Sequence, residues 1–410
     1  MSGVAAGAEL QRVIDEIIDA GVRKVHVLGW RDFDDPDAGG SEHHADEFMR
    51  RWATAGLEIT HRTSGAAGVP ATSWRNGYRV IRRGGRMSVY PRTVASELIR
   101  RMGPYDGLIE ILNGVPWFSP VWCPKPHLTF LHHVHGPMWD QIMPPPFSAM
   151  GRALEARVAP PVYRRGLTLT PSEATRQELV ELGFRADRVI AIPNGVDERF
   201  TPGGTRSPHP LVLGVGRLAP VKRFELLIEA AVAARRMVPE LRLLIVGNGP
   251  QRAELEAQVA SHGAGAWIDL PGHVAADALV GLYRSAWIVA SASLAEGWGL
   301  SMTEGAGCAT PAVATNIRGH RSSVIDGETG LLVEPAAMGA TIARVLTDHA
   351  LRRQLGIAAE RRARTLTWDN SALGIARCFR DVVLAHRSRR WSGGGGQAAG
   401  FLGGLKYTQR

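Results

Sequence analysis

The chain of 410 residues has almost no lysine: Lys24, Lys125, Lys222 and Lys406 are the whole complement. Its net charge of +9 is therefore carried by arginine. Cysteine is as scarce, with Cys123, Cys308 and Cys378 far apart and in no C-x-x-C spacing. That argues against a structural zinc site or a disulfide framework and suits a reducing compartment. No run approaches the ~18 unbroken apolar residues of a membrane span. No early apolar segment is flanked like a secretory signal; residues 9–20, ELQRVIDEIIDA, have helical spacing instead. A cytoplasmic protein is expected. Aromatic-rich RNA-binding strands, zinc fingers and a basic region with heptads are also missing, so nucleic acid is not an expected partner.

Hydrophobic residues make up 45% of the chain and charged residues 21%, enough for packed cores in two or three domains. KVHVLGW (24–30), LEITHRT (57–63), YDGLIEIL (105–112), PHLTFLHHVHG (126–136), GLTLTPS (166–172) and VIAIPNGVD (189–197) read as strands. Helical segments separate them, one starting near Ser41 and stopping at Gly56. After the Pro/Gly/Ser-rich break TPGGTRSPHP (201–210) the pattern restarts with LVLGVGRL, LRLLIVGNG, WIDLPGHV, WIVASAS, PAVATN and TGLLVEP. Such alternation implies parallel pairing, hence two α/β doubly wound domains, 1–197 and 198–370, with a cleft between them. Residues 371–390 form one more amphipathic helix, and the Gly-rich tail 391–410 reads as disordered. Ligands in such sheets sit beyond the carboxyl ends of the strands.

Four loop clusters fall at such ends. In SLAEGWGLSMTEGAG (293–307), Glu296 and Glu304 stand eight positions apart. SMTE alone fits a capping box, Ser301 as N-cap and Glu304 reaching back. The glycines of AEGWG, Gly297 and Gly299, instead let backbone amides approach an anion at the helix start, freeing Glu304 for a hydroxyl. In GVGRLAPVKR (214–223), Arg217 and Lys222 offer a fork and a point charge to a diphosphate; the bland reading is two solvated charges. In DPDAGGSEHHADEF (35–48), Gly39-Gly40 leads into a helix capped by Ser41, an anion-friendly turn or an ordinary one. Just upstream, Asp32-Phe33-Asp34 has the look of a metal-binding D-x-D, but its loop does not support one. In FLHHVHG (130–136), strand alternation puts His133 and His135 on one face and His132 on the other. Zinc is not expected there without a third ligand.

Between Arg75 and Arg101 there are eight arginines and one acid, Glu97. This is either a solvated basic face or a field for anionic partners such as nucleotides or phospholipid headgroups.

With these residues together, the chain resembles the retaining glycosyltransferases of family 4, which have the two-domain GT-B fold. The likeness is strongest over 211–335, through GRLAPVKR, LPGHV, the E-x7-E pair Glu296/Glu304 and DGETGLLVEP, and looser in the first half. It implies that Arg217 and Lys222 bind the donor diphosphate and that Leu300 and Ser301 amides hold its distal phosphate. Glu304 would take the ribose hydroxyls and Glu296 those of the transferred sugar. Gly272, His273 and Val274 would meet the base by main chain. The Gly39-Gly40 turn would close over phosphate or acceptor, and His135, with His133 as fallback, would be the cleft histidine. Trp298 stands where the family often has Phe, and Arg318-Gly319-His320 replaces a usual Gly-Gly. The last helix would return to the first domain near Trp368.

The implied reaction moves a sugar from a nucleotide-diphosphate sugar to an acceptor hydroxyl with retained configuration, with neither metal nor cofactor. Expected partners are that donor and a sugar, lipid-linked or small-molecule acceptor, with peripheral contact to anionic membrane as a further expectation. A GT-B epimerase or phosphorylase is the rival within the fold. A non-catalytic sugar- or lipid-binding scaffold is the rival outside it.

Overall fold

The computed structural model describes residues 3–36 and 38–391, so the expected Gly-rich tail lies outside the described residues beyond Trp391. The chain divides into two units, one up to Pro193 rejoined by the chain from Trp368, the other Asn194–Thr367. These junctions fall three or four residues before those expected at 197 and 370. The reason is a short parallel bridge, Val196 with Thr367, and Val196 packing among Ala306, Ala359 and Ala363 of the second unit.

The first unit carries β1 (Lys24–Leu28), β2 (Glu58–Thr63), β3 (Thr72–Arg75), β4 (Tyr78–Arg82), β5 (Gly107–Leu112), β6 (His127–Leu131), β7 (Thr168–Thr170) and β8 (Val189–Ala191). They form one sheet in the order β3-β4-β2-β1-β5-β6-β7-β8, parallel apart from the β3–β4 hairpin. Every residue of β5 is buried, as a strand covered on both faces requires. The helix Gly3–Asp19 supplies Ala6, Leu10, Val13, Ile14 and Ile17 to the core at helical spacing. The helix Trp368–Trp391 starts three residues earlier than expected and lies against it. It is held by Phe379 packed on Gly107, where a Cβ would sit 2.6 Å from the ring, and by Trp52 Nε1 donating to Ala372 O at 3.1 Å.

The hairpin was not foreseen. Its two-residue turn is Asn76-Gly77, both at positive φ (46° and 86°), the signature of a tight hairpin written plainly as N-G. It places Arg75 and Arg82 over the loop after β1. Asp32 is fully buried and accepts from Arg75 Nη1 (2.9 Å), Arg75 Nη2 (3.0 Å) and Arg82 Nε (2.5 Å), while Asp34 accepts from Arg82 Nη2 at 3.0 Å. Burial alone would raise the Asp32 carboxyl; Arg75, His61 and Arg82 together outweigh it and hold it at about 2. The D-x-D pair thus pins the loop to the hairpin.

The second unit carries β9 (Leu211–Val215), β10 (Arg242–Val246), β11 (Ile268–Gly272), β12 (Ile288–Ser291), β13 (Ala312–Thr315) and β14 (Gly330–Val333), an all-parallel sheet ordered β11-β10-β9-β12-β13-β14. Neighbouring residues of β9 feed opposite cores: Val212 joins Phe224, Leu227 and Ile245, and Leu213 joins Val246, Tyr283 and Met302. The strand order reverses between β9 and β12, which makes their carboxyl ends the switch point of this sheet.

Candidate functional site

Two loops meet at that switch point. After β9, Gly216 turns the chain, Arg217 is exposed, and the turn Pro220–Lys222 ends at Arg223 in the left-handed region (φ 48°) before the helix Phe224–Arg235. After β12 comes the loop carrying Ser293 and Glu296. Lys222 Nζ donates to Glu296 Oε1 at 2.5 Å, and Ser293 Oγ donates to the same oxygen at 2.8 Å. Burial pushes the Glu296 carboxyl up, but Lys222, His320 and Ser293 together bring it below the usual range, so it is ionised at neutral pH.

Glycines hold these loops at close quarters. A Cβ on Gly319 would lie 2.1 Å from Glu296 O, and one on Gly247 would lie 1.9 Å from Gly216 O. Gly249 is likewise pressed onto Leu218, whose amide donates to Asn248 O at 2.9 Å. The G-N-G after β10 was read only as a strand end, although two glycines flanking one residue there signal a backbone contact. Gly272 ends β11 at φ 83° beside Asn248 and Arg252, and its carbonyl accepts from Gly247 N at 2.9 Å. His273 is exposed and Val274 packs on the core with Val280 and Tyr283.

The helix Leu300–Gly307 opens from Gly299 in the left-handed region (φ 92°, ψ 64°). Ser301 is therefore inside the first turn and is not the N-cap, and Glu304 forms no capping box. Instead Glu304 Oε2 accepts from Tyr283 Oη at 2.6 Å. Tyr283 is buried, and burial plus the Glu304 charge push its phenol far up. The helix pattern leaves the Leu300 and Ser301 amides unused as intrahelical donors. Trp298 is buried (5% exposed), with no hydrogen-bond partner for its indole N–H among the described residues. His320, the third residue of the helix Arg318–Ser323, donates from Nδ1 to Thr315 O at 2.8 Å and has its Cδ2 edge beside Gly299.

In the first unit, the helix Gly40–Thr54 is capped by Gly39 and not by Ser41. Glu42 Oε2 reaches back to accept from Gly39 N at 2.7 Å, and Ser41 Oγ donates to Glu42 Oε1 at 2.9 Å. An anion at this turn would meet the Gly40 and Ser41 amides, since that of Gly39 is engaged. β6 ends at Leu131, so strand alternation does not reach the histidines. Their separation survives for another reason. His132 Nε2 lies 3.2 Å from His44 Nδ1 in the core, while His133 and His135 stack with centroids 4.3 Å apart. Glu155, which no sequence signal marked, accepts from the amides of His135 and Gly136 at 2.7 Å each. Its contact to His135 Nδ1 is 3.6 Å, beyond hydrogen-bond length.

Two α/β units, each built on a parallel sheet and the first with one added hairpin strand, have the architecture of the GT-B fold. Family profiles agree: glycosyl transferases group 1 matches residues 196–362 and glycosyltransferase family 4 matches 38–200. The first profile spans nearly all of the second unit, and the other most of the first. A D-inositol 3-phosphate glycosyltransferase from Kribbella flavida is 28% identical over 403 residues, covering 85% of this chain and 92% of its own. One from Acidothermus cellulolyticus is 34% identical over 247 residues, 55% of this chain and 54% of its own, so the chain spans only about half the length of several curated relatives. Among solved structures, sucrose-phosphate synthase from Thermosynechococcus elongatus has a TM-score of 0.75 at 23% identity, over 88% of this chain and 100% of that one. Anabaena HepE in complex with UDP and glucose has a TM-score of 0.67 at 19% identity, over 87% and 98%. These last two likenesses are of fold. No helix among the described residues is long and apolar enough to cross a membrane.

Proposed function

We propose that this chain transfers a hexosyl group from a nucleotide-diphosphate sugar to an acceptor hydroxyl with retention of anomeric configuration and without a metal ion. The observation that carries the reading is the Lys222–Glu296 pair at 2.5 Å across the β9/β12 switch point, beside the opening of the Leu300–Gly307 helix. A donor arriving there meets a cation for its phosphates and a carboxylate for its sugar hydroxyls, already placed and already charged. Arg217 and Lys222 would hold the diphosphate, with the Leu300 and Ser301 amides on its distal phosphate. Glu296 would accept from hydroxyls of the transferred sugar and Glu304 from the ribose. Gly272, His273 and Val274 would meet the base through the main chain. His135, its backbone clamped by Glu155, is the candidate hydrogen-bonding group of the first unit, with His133 beside it.

In the chemical step the anomeric carbon–oxygen bond to the diphosphate breaks and a bond to the acceptor oxygen forms on the same face. The acceptor proton passes to the departing diphosphate oxygen. The protein's share is electrostatic: fixed cations and amide dipoles stabilise charge that develops on the leaving group. Relatives printed as glycosyltransferases support the class of reaction, and a fold neighbour holding UDP and glucose makes UDP-hexoses the first donors to try. The test is incubation with UDP-, GDP-, ADP- and dTDP-hexoses in EDTA, with nucleotide release and the product anomer read by NMR. Release of an α-linked product from an α-linked donor is expected; an inverted product or a strict metal requirement would overturn the mechanism. Peripheral attachment to anionic membrane stays part of this reading and is checked by liposome sedimentation at varied anionic lipid content.

A further inference from the structure

Asn248 stands between Gly247 and Gly249 in the loop after β10 and is exposed. Backbone bonds tie this loop down at two points: Gly247 N donates to Gly272 O and Leu218 N to Asn248 O, each at 2.9 Å. A Cβ on either glycine would run into backbone, 1.9 Å from Gly216 O and 2.3 Å from Leu218 O. Only glycines let the loop approach so closely. Held there, it lays the Asn248 amide against Gly272, where a Cβ would be 3.2 Å from Oδ1 and 3.7 Å from Nδ2. The side chain thus borders the turn at residues 272–274.

Chemistry fixes which way round that amide lies. Arg252 Nη1 donates to Asn248 Oδ1 at 3.1 Å. A guanidinium donates and cannot accept, so the amide oxygen has to face it and the NH2 is turned from it. Arg252 is itself anchored: Nη2 donates to Leu270 O at 2.7 Å, and Nε lies 2.8 Å from Glu256 Oε1. Beside Gly272, Asn248 therefore presents a hydrogen-bond donor and not a second acceptor. Nucleotide bases differ on this count. Uracil and guanine carry a carbonyl, O4 and O6, where cytosine and adenine carry an amino group, N4 and N6. An NH2 pairs with the carbonyl and opposes the amino group, donor against donor.

We propose that Asn248, oriented by Arg252, selects the donor by its base, admitting nucleoside diphosphates with uracil O4 or guanine O6 at that edge over their amino counterparts. This rests on the reading that the donor nucleotide lies against residues 272–274.

The experiment is calorimetric titration of the full chain with UDP, CDP, GDP and ADP, for the wild type, Asn248→Asp and Asn248→Ala. Position 248 is exposed, and aspartate keeps an acceptor for Arg252, so both variants are expected to fold. Affinities are compared within a ring size, UDP against CDP and GDP against ADP, so that stacking and phosphate contacts cancel. In its better-bound pair the wild type is expected to favour the carbonyl member by about 10- to 100-fold, the scale of a hydrogen bond replaced by mismatched polar groups. Asn248→Asp, which exchanges the donor for an acceptor, should reverse that order, and Asn248→Ala should bring the two members close together. Equal affinity within both pairs, or an order that Asn248→Asp leaves unchanged, would overturn the assignment while the donor site stood. Uniform weakening of all four nucleotides in both variants would also overturn it, since that is what a residue merely shaping the loop would do. If the wild type binds none of the four, the donor reading fails and this inference fails with it.

Discussion

Lys222 and Glu296 are joined by a 2.5 Å ion pair across the strand reversal of the second sheet, although 74 residues separate them in sequence. Each side chain holds the other in place, and on the proposed reading the pair couples the cation for the donor phosphates to the carboxylate for the sugar. Removing either partner is then expected to disturb both functions. Lys222→Ala is expected to reduce turnover by about 10²–10³, the scale of losing one preorganised donor to a developing anion. It should also raise the Glu296 pKa, since burial would then lack its main opponent. Steady-state kinetics across pH reads both effects, and a wild-type rate from Lys222→Ala would remove this site.

Glu304 is held differently, by the phenol of the buried Tyr283 at 2.6 Å. Tyr283→Phe is expected to cost about 1.5–3 kcal/mol of stability, the range for a hydrogen bond to a charged group. Nucleotide affinity should weaken while turnover at saturating donor changes little, because Glu304 is assigned to the ribose and not to the leaving group. Denaturant melts and nucleotide titration check this. A drop in turnover with unchanged affinity would contradict the assignment.

Buried imidazoles shape the response to acid, His44, His61 and His132 among them. Burial lowers His44 to about 3 and His61 to about 4, and holds His132 well below its usual value. All are neutral in the folded chain, whereas the unfolded chain protonates them near 6.5. Below that pH the unfolded state binds more protons, so stability is full above about 6.5 and falls as the pH is lowered towards 4 and 3. Melts between pH 8 and 4.5 should show a decline beginning near 6.5. His132→Asn should flatten it, and an unchanged slope in that variant would show that the decline has another source.

Gly319 is the position where the helix Arg318–Ser323 touches the backbone of Glu296. Gly319→Ala would force a contact of 2.1 Å to relax and is expected to cost about 1–3 kcal/mol. Because the strain falls on Glu296 itself, donor affinity should suffer more than the melt alone explains. His320→Ala is the control that spares the backbone. Equal losses of donor affinity in the two variants would count against a backbone effect.

Much of this was legible in sequence because parallel strands buried on both faces are near-continuous apolar runs, and those of β1, β5, β9 and β10 are written that way. The E-x7-E spacing, the Arg217/Lys222 loop and the GHV turn were visible as loops after such runs. Ser301 and Ser41 look like N-caps, whereas Gly299 caps its helix from the left-handed region and Gly39 caps the other with Glu42, three residues on, reaching back to its amide. The β3–β4 hairpin was missed although Asn76-Gly77 announces it, since its arginine-rich strands do not look apolar. Tyr283 and Glu155 could not have been found at all. Their roles depend on partners 21 and 20 residues away that only the fold brings close.

The most direct test of the donor site is the melting temperature of wild type and Lys222→Ala with UDP, GDP, ADP and dTDP, each with and without EDTA. At about 100 times its dissociation constant a nucleotide should stabilise the wild type by about 2.7 kcal/mol. We expect one nucleotide to do so equally in EDTA and to lose most of the effect in Lys222→Ala. No shift from any nucleotide, or a shift that EDTA abolishes, would contradict a metal-free diphosphate clamp built on Lys222 and Glu296.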